Sequence, residues 1–143
     1  MPHRAPDWVP DHAIYFITIC TTPRGINQLT KEDVASWIYE SMVYRETRQA
    51  WWIHLVLLMP DHLHALMTFS KELEMKHTIS QWKRYVARQK KIKWQRDYFE
   101  HRLRKSESYD EKAHYIRMNP VRAGLTEKME HWPFVWSKQV QAV

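Results

Sequence analysis

Residues 51–69 read WWIHLVLLMPDHLHALMTF and set the frame for everything around them. Trp51 to Met59 is a nearly continuous apolar run, the pattern of a central strand buried on both faces. Pro60-Asp61 marks a turn. His62 to Phe69 (HLHALMTF) then reads as a second strand, antiparallel to the first. Side chains alternate along a strand, so His62 and His64 project from one face while Leu63 points away. Two imidazoles on one face of an apolar strand form half of a metal site. Histidines satisfied within a core give the same pattern, and His-x-His alone does not choose between the two. No C-x-x-C or H-E-x-x-H spacing supports a structural or protease-like zinc.

The flanking sequence supplies the other elements. Ala13 to Thr21 (AIYFITICT) is rich in β-branched and aromatic residues, which predicts a first strand ended by Pro23-Arg24-Gly25. Thr30 with Asp33 suggests a helix start. Val34, Trp37, Ile38, Met42 and Val43 follow at helical spacing, and this helix is expected to reach about Gln49. Thr78 with Gln81 matches a capping box, and the helix behind it places Ile79, Trp82 and Val86 on one face. A fourth strand is expected around Tyr98 to Leu103. Ser108 with Glu111 is a second capping box, opening a helix expected to end near Asn119 because Pro120 disfavours helix at the residue before it. Gly124 suits a left-handed turn after it.

The resulting order is β-α-β-β-α-β followed by α. This is an α+β fold, a ferredoxin-like split β-α-β antiparallel sheet with helices on one face and an added C-terminal helix. At 143 residues the chain fits one domain, 1–143. Residues 1–12, with three prolines, read as an irregular lead-in. Residues 126–143 read as a tail whose Trp132-Pro133-Phe134 and Trp136 pack onto the domain.

Composition narrows the function. Only Gly25 and Gly124 occur, so no glycine-rich phosphate loop exists and no nucleotide cofactor is expected. The lone Cys20 excludes an intramolecular disulfide, suits a reducing compartment, and reads as core rather than nucleophile. No apolar run approaches the ~20 residues that span a bilayer. The start, Met1-Pro2-His3-Arg4, lacks the apolar region of a secretory signal, so a cytoplasmic protein with no membrane partner is expected. Eight Trp and seven Tyr can fill a core or offer faces on which bases stack. Charge is segregated: residues 76–105 carry eleven Lys or Arg against Asp97 and Glu100, a net +9, while the other 113 residues sum to −3. Aromatics interleave that basic run (Trp82, Tyr85, Trp94, Tyr98, Phe99), which favours a nucleic-acid backbone as partner over a merely solvated face.

A second cluster of chemistry is Tyr115-Ile116-Arg117-Met118-Asn119. Positions i and i+4 share a helix face, so Tyr115 and Asn119 lie one above the other. A phenol beside an amide oxygen fits a nucleophile next to a metal ligand; taken alone, the pair also fits an ordinary helix surface. His54, His101 and His114 receive no role. His114 neighbours Tyr115 but points about 100° around the helix from it.

Three stretches together, MPDHLHALM (59–67), WQRDYFEHRLR (94–104) and YIRMNPVRAGL (115–125), resemble the REP-associated tyrosine transposases. These are relatives of the single-tyrosine, IS200-like transposases of the HUH nuclease superfamily. His62-Leu63-His64 matches the family's His-hydrophobe-His element, and Tyr115 with Asn119 matches its Tyr-x-x-x-Asn element. The resemblance covers roughly residues 13–137, with the motifs in the family's order and spacing. After the first strand these proteins often carry a basic or polar run, where this chain has only Arg24.

The resemblance implies a metal-dependent nuclease and strand-transferase acting on single-stranded DNA with imperfect hairpins of the repetitive extragenic palindrome type. Tyr115 would be the nucleophile, leaving a 5′-phosphotyrosine and a free 3′-hydroxyl. His62, His64 and Asn119 would hold Mg²⁺ or Mn²⁺. Imidazoles suit Mn²⁺ better than the oxygen-preferring Mg²⁺. A tyrosine hydroxyl has an ordinary pKa near ~10, so a metal that neutralises the phosphate would help it react. Asp61 would orient a histidine or the hydrated metal, or simply close its turn. Lys83, Arg84, Arg88, Lys91, Arg117 and Arg122 are candidates for phosphate contacts, Arg122 equally for holding the turn after its helix. Related enzymes act as homodimers or as monomers, and a nucleoid-associated bacterial protein is implied. Two other readings compete with this one. One is a domesticated hairpin-binding protein that does not cut. The other is a metal phosphoesterase that uses water.

Overall fold

The computed structural model describes residues 5–9, 13–70, 74–104 and 107–138. Strands β1 (Tyr15–Cys20), β2 (Trp51–Met59), β3 (His62–Phe69), β4 (Phe99–Arg102) and β5 (Val135–Ser137) form one sheet in the order β4-β1-β3-β2-β5. Every pairing in it is antiparallel. The helices are α1 (Glu32–Thr47), α2 (Met75–Lys90), α3 (Tyr109–Arg117) and α4 (Asn119–Arg122). The expected α+β antiparallel architecture is therefore present, with β2 and β3 spanning the residues read from the sequence.

The sheet is covered on both faces. On one, Ala35, Ile38 and Met42 of α1 and Ile79, Trp82 and Val86 of α2 pack onto Ile17, Ile19, Leu58, Leu63, Ala65 and Met67. Trp82 Nε1 donates to Ser41 Oγ at 3.0 Å and Trp51 Nε1 to the Met42 carbonyl at 2.9 Å, so the polar edges of both buried indoles are satisfied. On the other face, Ile116 of α3 packs onto Phe16, Leu55, Leu57, Met59 and Leu66. Ile116 is the only buried residue of α3.

β2 serves both layers because its register shifts between Ile53 and Leu55. A bulge reverses the in–out alternation. Trp51 and Ile53 therefore share a face with Val56 and Leu58, while Leu55, Leu57 and Met59 face α3. His54 sits at the shift and is anchored by its Nε2 to Thr68 Oγ1 at 2.8 Å.

Three local expectations are corrected. Thr78 does not cap α2: the helix begins at Met75 behind Glu74, and Thr78 lies inside it, donating from Oγ1 to the Glu74 carbonyl at 3.0 Å. Thr30 does not cap α1, whose N-cap is Lys31; Asn27 Oδ1 instead accepts from the Thr30 N–H and hydroxyl, each at 2.9 Å. Pro120 does not end the helical path. The chain breaks at Met118 and resumes as α4, in which Pro120 occupies the first turn, where its missing N–H is no loss. Ser108 does cap α3, its Oγ accepting from Glu111 N at 3.2 Å, which is the serine half of the expected capping box. The tail contributes more than packing: β5 pairs with β2, and Trp132 Nε1 donates to the Leu58 carbonyl at 3.0 Å.

Because Ile116 is the fully buried side chain of α3, Ile116→Ala should lower stability by about 2–5 kcal/mol. Urea unfolding followed by tryptophan fluorescence checks this, and an unchanged midpoint would mean that α3 is held by other contacts.

Candidate active site

Strand alternation carries Phe16 and Thr18 of β1, His62 and His64 of β3, and Phe99 and His101 of β4 to the sheet face that α3 covers. The register sets Thr18 opposite His64 and Phe99 opposite Thr18. Between this face and α3 lies a cleft of about 680 Å³, lined among others by Phe16, Thr18, His64, His101 and Tyr115. Tyr115 is 52% exposed and leans over the Phe16 ring with centroids 6.3 Å apart; His64 meets the same ring edge-on at 5.6 Å. His64 and Tyr115, 51 residues apart in sequence, thus line one cavity, whereas His62 and Asn119 are not among its lining residues.

The two imidazoles are 4.8 Å apart, centroid to centroid. The Nδ1–H of His62 donates to Asp61 Oδ1 at 2.8 Å. His64 Nδ1 is hydrogen-bonded to Thr18 Oγ1 at 2.9 Å. The Asp61 carboxylate only accepts, so it sets the His62 proton on Nδ1 and the lone pair on Nε2, the orientation in which histidine faces a metal, while the Thr18 hydroxyl holds the His64 ring by Nδ1. Burial, with the charges of His62, Arg122 and Arg24 adding to it, pushes the His64 pKa down to about 3. His64 is therefore neutral at pH 7, as a ligand must be. Among the described residues no cluster of three or more His, Cys, Asp or Glu side chains is placed to hold a metal ion. The donor set thus fits a cation held by two imidazoles with its other ligands drawn from amide, water or phosphate oxygen. Asn119 opens α4, one turn beyond Tyr115.

Asp61 is the hub of this end. Arg24 Nε donates to its Oδ2 at 2.9 Å, and the backbone N–H of Gly25 to the same oxygen at 2.8 Å. Burial opposes its ionisation, but the bonds from Arg24, His62 and Gly25 outweigh that and hold the carboxyl well below the usual carboxylate range. Gly25 has φ +88°, a conformation that gives its N–H this reach and that side chains strain to adopt.

Arg122 lies with its guanidinium carbon 4.2 Å from the Tyr115 ring centroid and donates to the Tyr115 carbonyl at 2.7 Å. Arg117 instead donates to Ser137 Oγ at 2.8 Å, tying α3 to β5. Lys83 donates to the Gln95 and Arg96 carbonyls, at 2.8 and 3.3 Å, which fixes the segment leading into β4. Arg84, Arg88 and Lys91 are exposed; α2 itself packs on the sheet face away from the cleft. Sequence reasoning passed over Thr18, Phe16, Arg24, His101 and Glu107. Strand pairing places Thr18, Phe16 and His101, Arg24 arrives through its bond to Asp61, and Glu107 enters through its bond to His101. His54 bonds Thr68 beside the bulge, and burial with the Lys138 charge pushes its pKa down to about 4.

No family model matches the chain. It is 27% identical over 142 residues to a Haemophilus influenzae protein provisionally named a REP-associated tyrosine transposase, a match covering 85% of this chain and 77% of that one. It is 29% identical over 89 residues to an Escherichia coli K12 protein named REP-associated tyrosine transposase, covering 57% of this chain and 52% of that one. The chain is related to the REP-associated tyrosine transposases. A solved REP-associated tyrosine transposase, bound to a REP hairpin, superposes with a TM-score of 0.74 at 19% identity, covering 100% of this chain and 94% of the other. A Deinococcus radiodurans structure, provisionally called a transposase, matches with a TM-score of 0.56 at 16% identity, over 79% of this chain and 92% of that one. Those two likenesses establish a fold shared with transposases. No helix among the described residues is long and apolar enough to cross a membrane.

His54 and His64 bind protons more readily in the unfolded chain, where the pKa is near 6.5, than in the fold, where it is about 4 and about 3. Their contribution to stability is full above about pH 6.5 and is lost as the pH falls toward 4. Urea midpoints measured from pH 7 to pH 4 should fall, and His54→Asn should make that fall shallower. An unchanged slope in the variant would show that His54 is not held neutral by its burial.

Proposed function

We propose that this chain is a single-stranded-DNA endonuclease and strand-transferase that acts at hairpins of the repetitive extragenic palindrome type through a covalent Tyr115 intermediate. The observation that carries the reading is the shared cleft, in which Tyr115 and His64 both pack against Phe16. Relationship to the REP-associated transposases, one solved with a REP hairpin, supplies the substrate class.

The scissile phosphate enters the cleft with its leaving 3′-oxygen directed away from Tyr115. The phenolic oxygen forms a bond to phosphorus as the bond to O3′ breaks, giving a 5′-phosphotyrosine and a free 3′-hydroxyl. The phosphodiester energy is kept in the tyrosyl ester, so a second 3′-hydroxyl can reverse the step without ATP. His62, His64 and Asn119 would hold Mg²⁺ or Mn²⁺ in this reading, and the ion would supply charge neutralisation and polarisation of the phosphate. Asp61, gripped by Arg24, fixes the His62 ring and its tautomer. Thr18 holds the ring of His64 in place through its Nδ1. Arg122 braces the Tyr115 ring and backbone, and its charge lies beside the position of the incoming phosphate.

The substrate's other phosphates meet the basic run that begins on α2 with Arg84 and Arg88, continues through Lys91, Lys93 and Arg96, and reaches Arg102 on β4, the strand that lines the cleft. Such a path favours a DNA strand over a small phosphoester.

Incubation with labelled hairpin DNA and Mn²⁺, resolved on a denaturing gel, should give a protein-linked band. Tyr115→Phe should remove the band and at least 10³-fold of the cleavage, while native-gel binding persists. Cleavage by the variant at the normal rate would indicate a water nucleophile. Binding without any adduct in the unaltered chain would indicate a hairpin-binding protein. Separately, His64→Ala should weaken Mn²⁺ binding in calorimetry by about tenfold or more. An unchanged titration would remove the histidine pair from the metal site.

A further inference from the structure

The cleft contains a second histidine whose surroundings the roles above leave unexplained. His101 lies on β4 opposite Phe16, so its ring and Tyr115 flank the same phenylalanine. Its Nε2–H donates to both carboxylate oxygens of Glu107, at 2.9 and 3.2 Å. Glu107 is held in turn by the Arg104 N–H at 2.8 Å and the Lys112 ammonium at 3.3 Å. Those bonds, the Arg104 amide first, bring the Glu107 pKa down to about 2, so it is a carboxylate at any working pH. A carboxylate can only accept, which assigns the proton of the neutral imidazole to Nε2 and the lone pair to Nδ1. Among the described residues nothing else bonds the His101 ring, whose side chain is 32% exposed. A histidine oriented by an anchored carboxylate, in one cleft with a nucleophile, is the arrangement that manages protons in acyl- and phosphoryl-transfer sites.

Other groups around the cleft suit the task less well. His62 and His64 have Nδ1 occupied and Nε2 committed in the proposed reaction. Lys112 is engaged by Glu107, and Glu111 opens α3 from an exposed position. His114 does not line the cleft.

We infer that His101, oriented by Glu107, takes the proton of the Tyr115 hydroxyl during attack and returns it to the departing 3′-oxygen. This role rests on Tyr115 being the nucleophile. As the Tyr115 oxygen bonds to phosphorus, the phenolic proton passes to His101 Nδ1, giving an imidazolium paired with Glu107. As the phosphorus–O3′ bond breaks, the same proton passes to O3′ and the neutral ring is restored. No proton is gained or lost overall and no co-reactant is consumed. Rejoining runs the sequence backwards, with His101 accepting from an incoming 3′-hydroxyl.

The test compares the full-length chain with His101→Gln on two hairpin oligonucleotides in Mn²⁺. One is unmodified, and the other carries sulfur in place of the bridging 3′-oxygen at the scissile linkage. A thiolate departs without protonation, so the second substrate removes the need for proton return. On the unmodified DNA, adduct formation by His101→Gln should slow by about 100-fold or more. On the sulfur substrate at least about tenfold of that loss should be recovered, with hairpin affinity unchanged throughout. Cleavage of the unmodified DNA at the normal rate would overturn the role, as would equal slowing on both substrates. Should the unaltered chain form no adduct with either DNA, the tyrosine mechanism itself would fall, and this role with it.

Discussion

The antiparallel pairing of β1 with β3 is the constraint on which the site depends, because its register decides what each histidine meets. Thr18 stands opposite His64 and Cys20 opposite His62. A slip of one residue would bring Ile17 or Ile19 into Thr18's place and turn the hydroxyl to the far face. The Thr18 bond to His64 Nδ1 would be lost, and with it the orientation that leaves Nε2 directed outward. The same slip would place Ile17 and Ile19, now buried against α1 and α2, on the wrong layer. Core packing and ligand orientation are therefore secured by one set of backbone hydrogen bonds.

Around that register, burial and nearby cations keep His64 neutral. Asp61 remains ionised because Arg24, His62 and the Gly25 N–H all bond it, although burial works the other way. Arg24 and Arg122 bring positive charge close enough to His64 to reinforce the effect of its burial. A neutral imidazole between cations suits an anionic phosphate well: the lone pairs stay available, and the surrounding positive field is unspent until a substrate arrives. The His101–Glu107 pair on β4 has the opposite arrangement, a ring bonded through Nε2 to a fixed negative charge. The two sides of one cleft are thus prepared for different tasks by their neighbours rather than by residue type.

The bulge at His54 solves a separate problem. β2 must fill two layers, and strict alternation would commit Trp51, Ile53, Leu55 and Leu57 to a single face. One extra residue lets the bulky pair at the start join the α1–α2 layer while Leu55, Leu57 and Met59 support α3. Tyr115 reaches the cleft because Ile116, its neighbour, is seated on that second surface.

Short-range features were legible in the chain itself. The strands at 51–59 and 62–69, the shared face of His62 and His64, the cap at Ser108 and the apolar face of α2 all follow from spacing within a few residues. So does the combination of His-x-His with Tyr-x-x-x-Asn that resembles the REP-associated transposases. Tertiary structure alone decided what depends on pairing between distant segments. Thr18 under His64, Arg24 on Asp61, His101 beside Phe16 and the β5 strand have no local pattern, because each is defined by a partner 30 or more residues away. The bulge was hidden for another reason: in a run as uniformly apolar as WWIHLVLLM, hydrophobicity carries no record of which side chain faces which layer. The caps expected at Thr30 and Thr78 failed because hydroxyls satisfy backbone groups in more than one way, and the choice is made by where the helix docks. The sequence thus determined which residues could carry the chemistry. Which of them meet was settled by the sheet register and by the seating of α3 on the sheet through Ile116 and its neighbours.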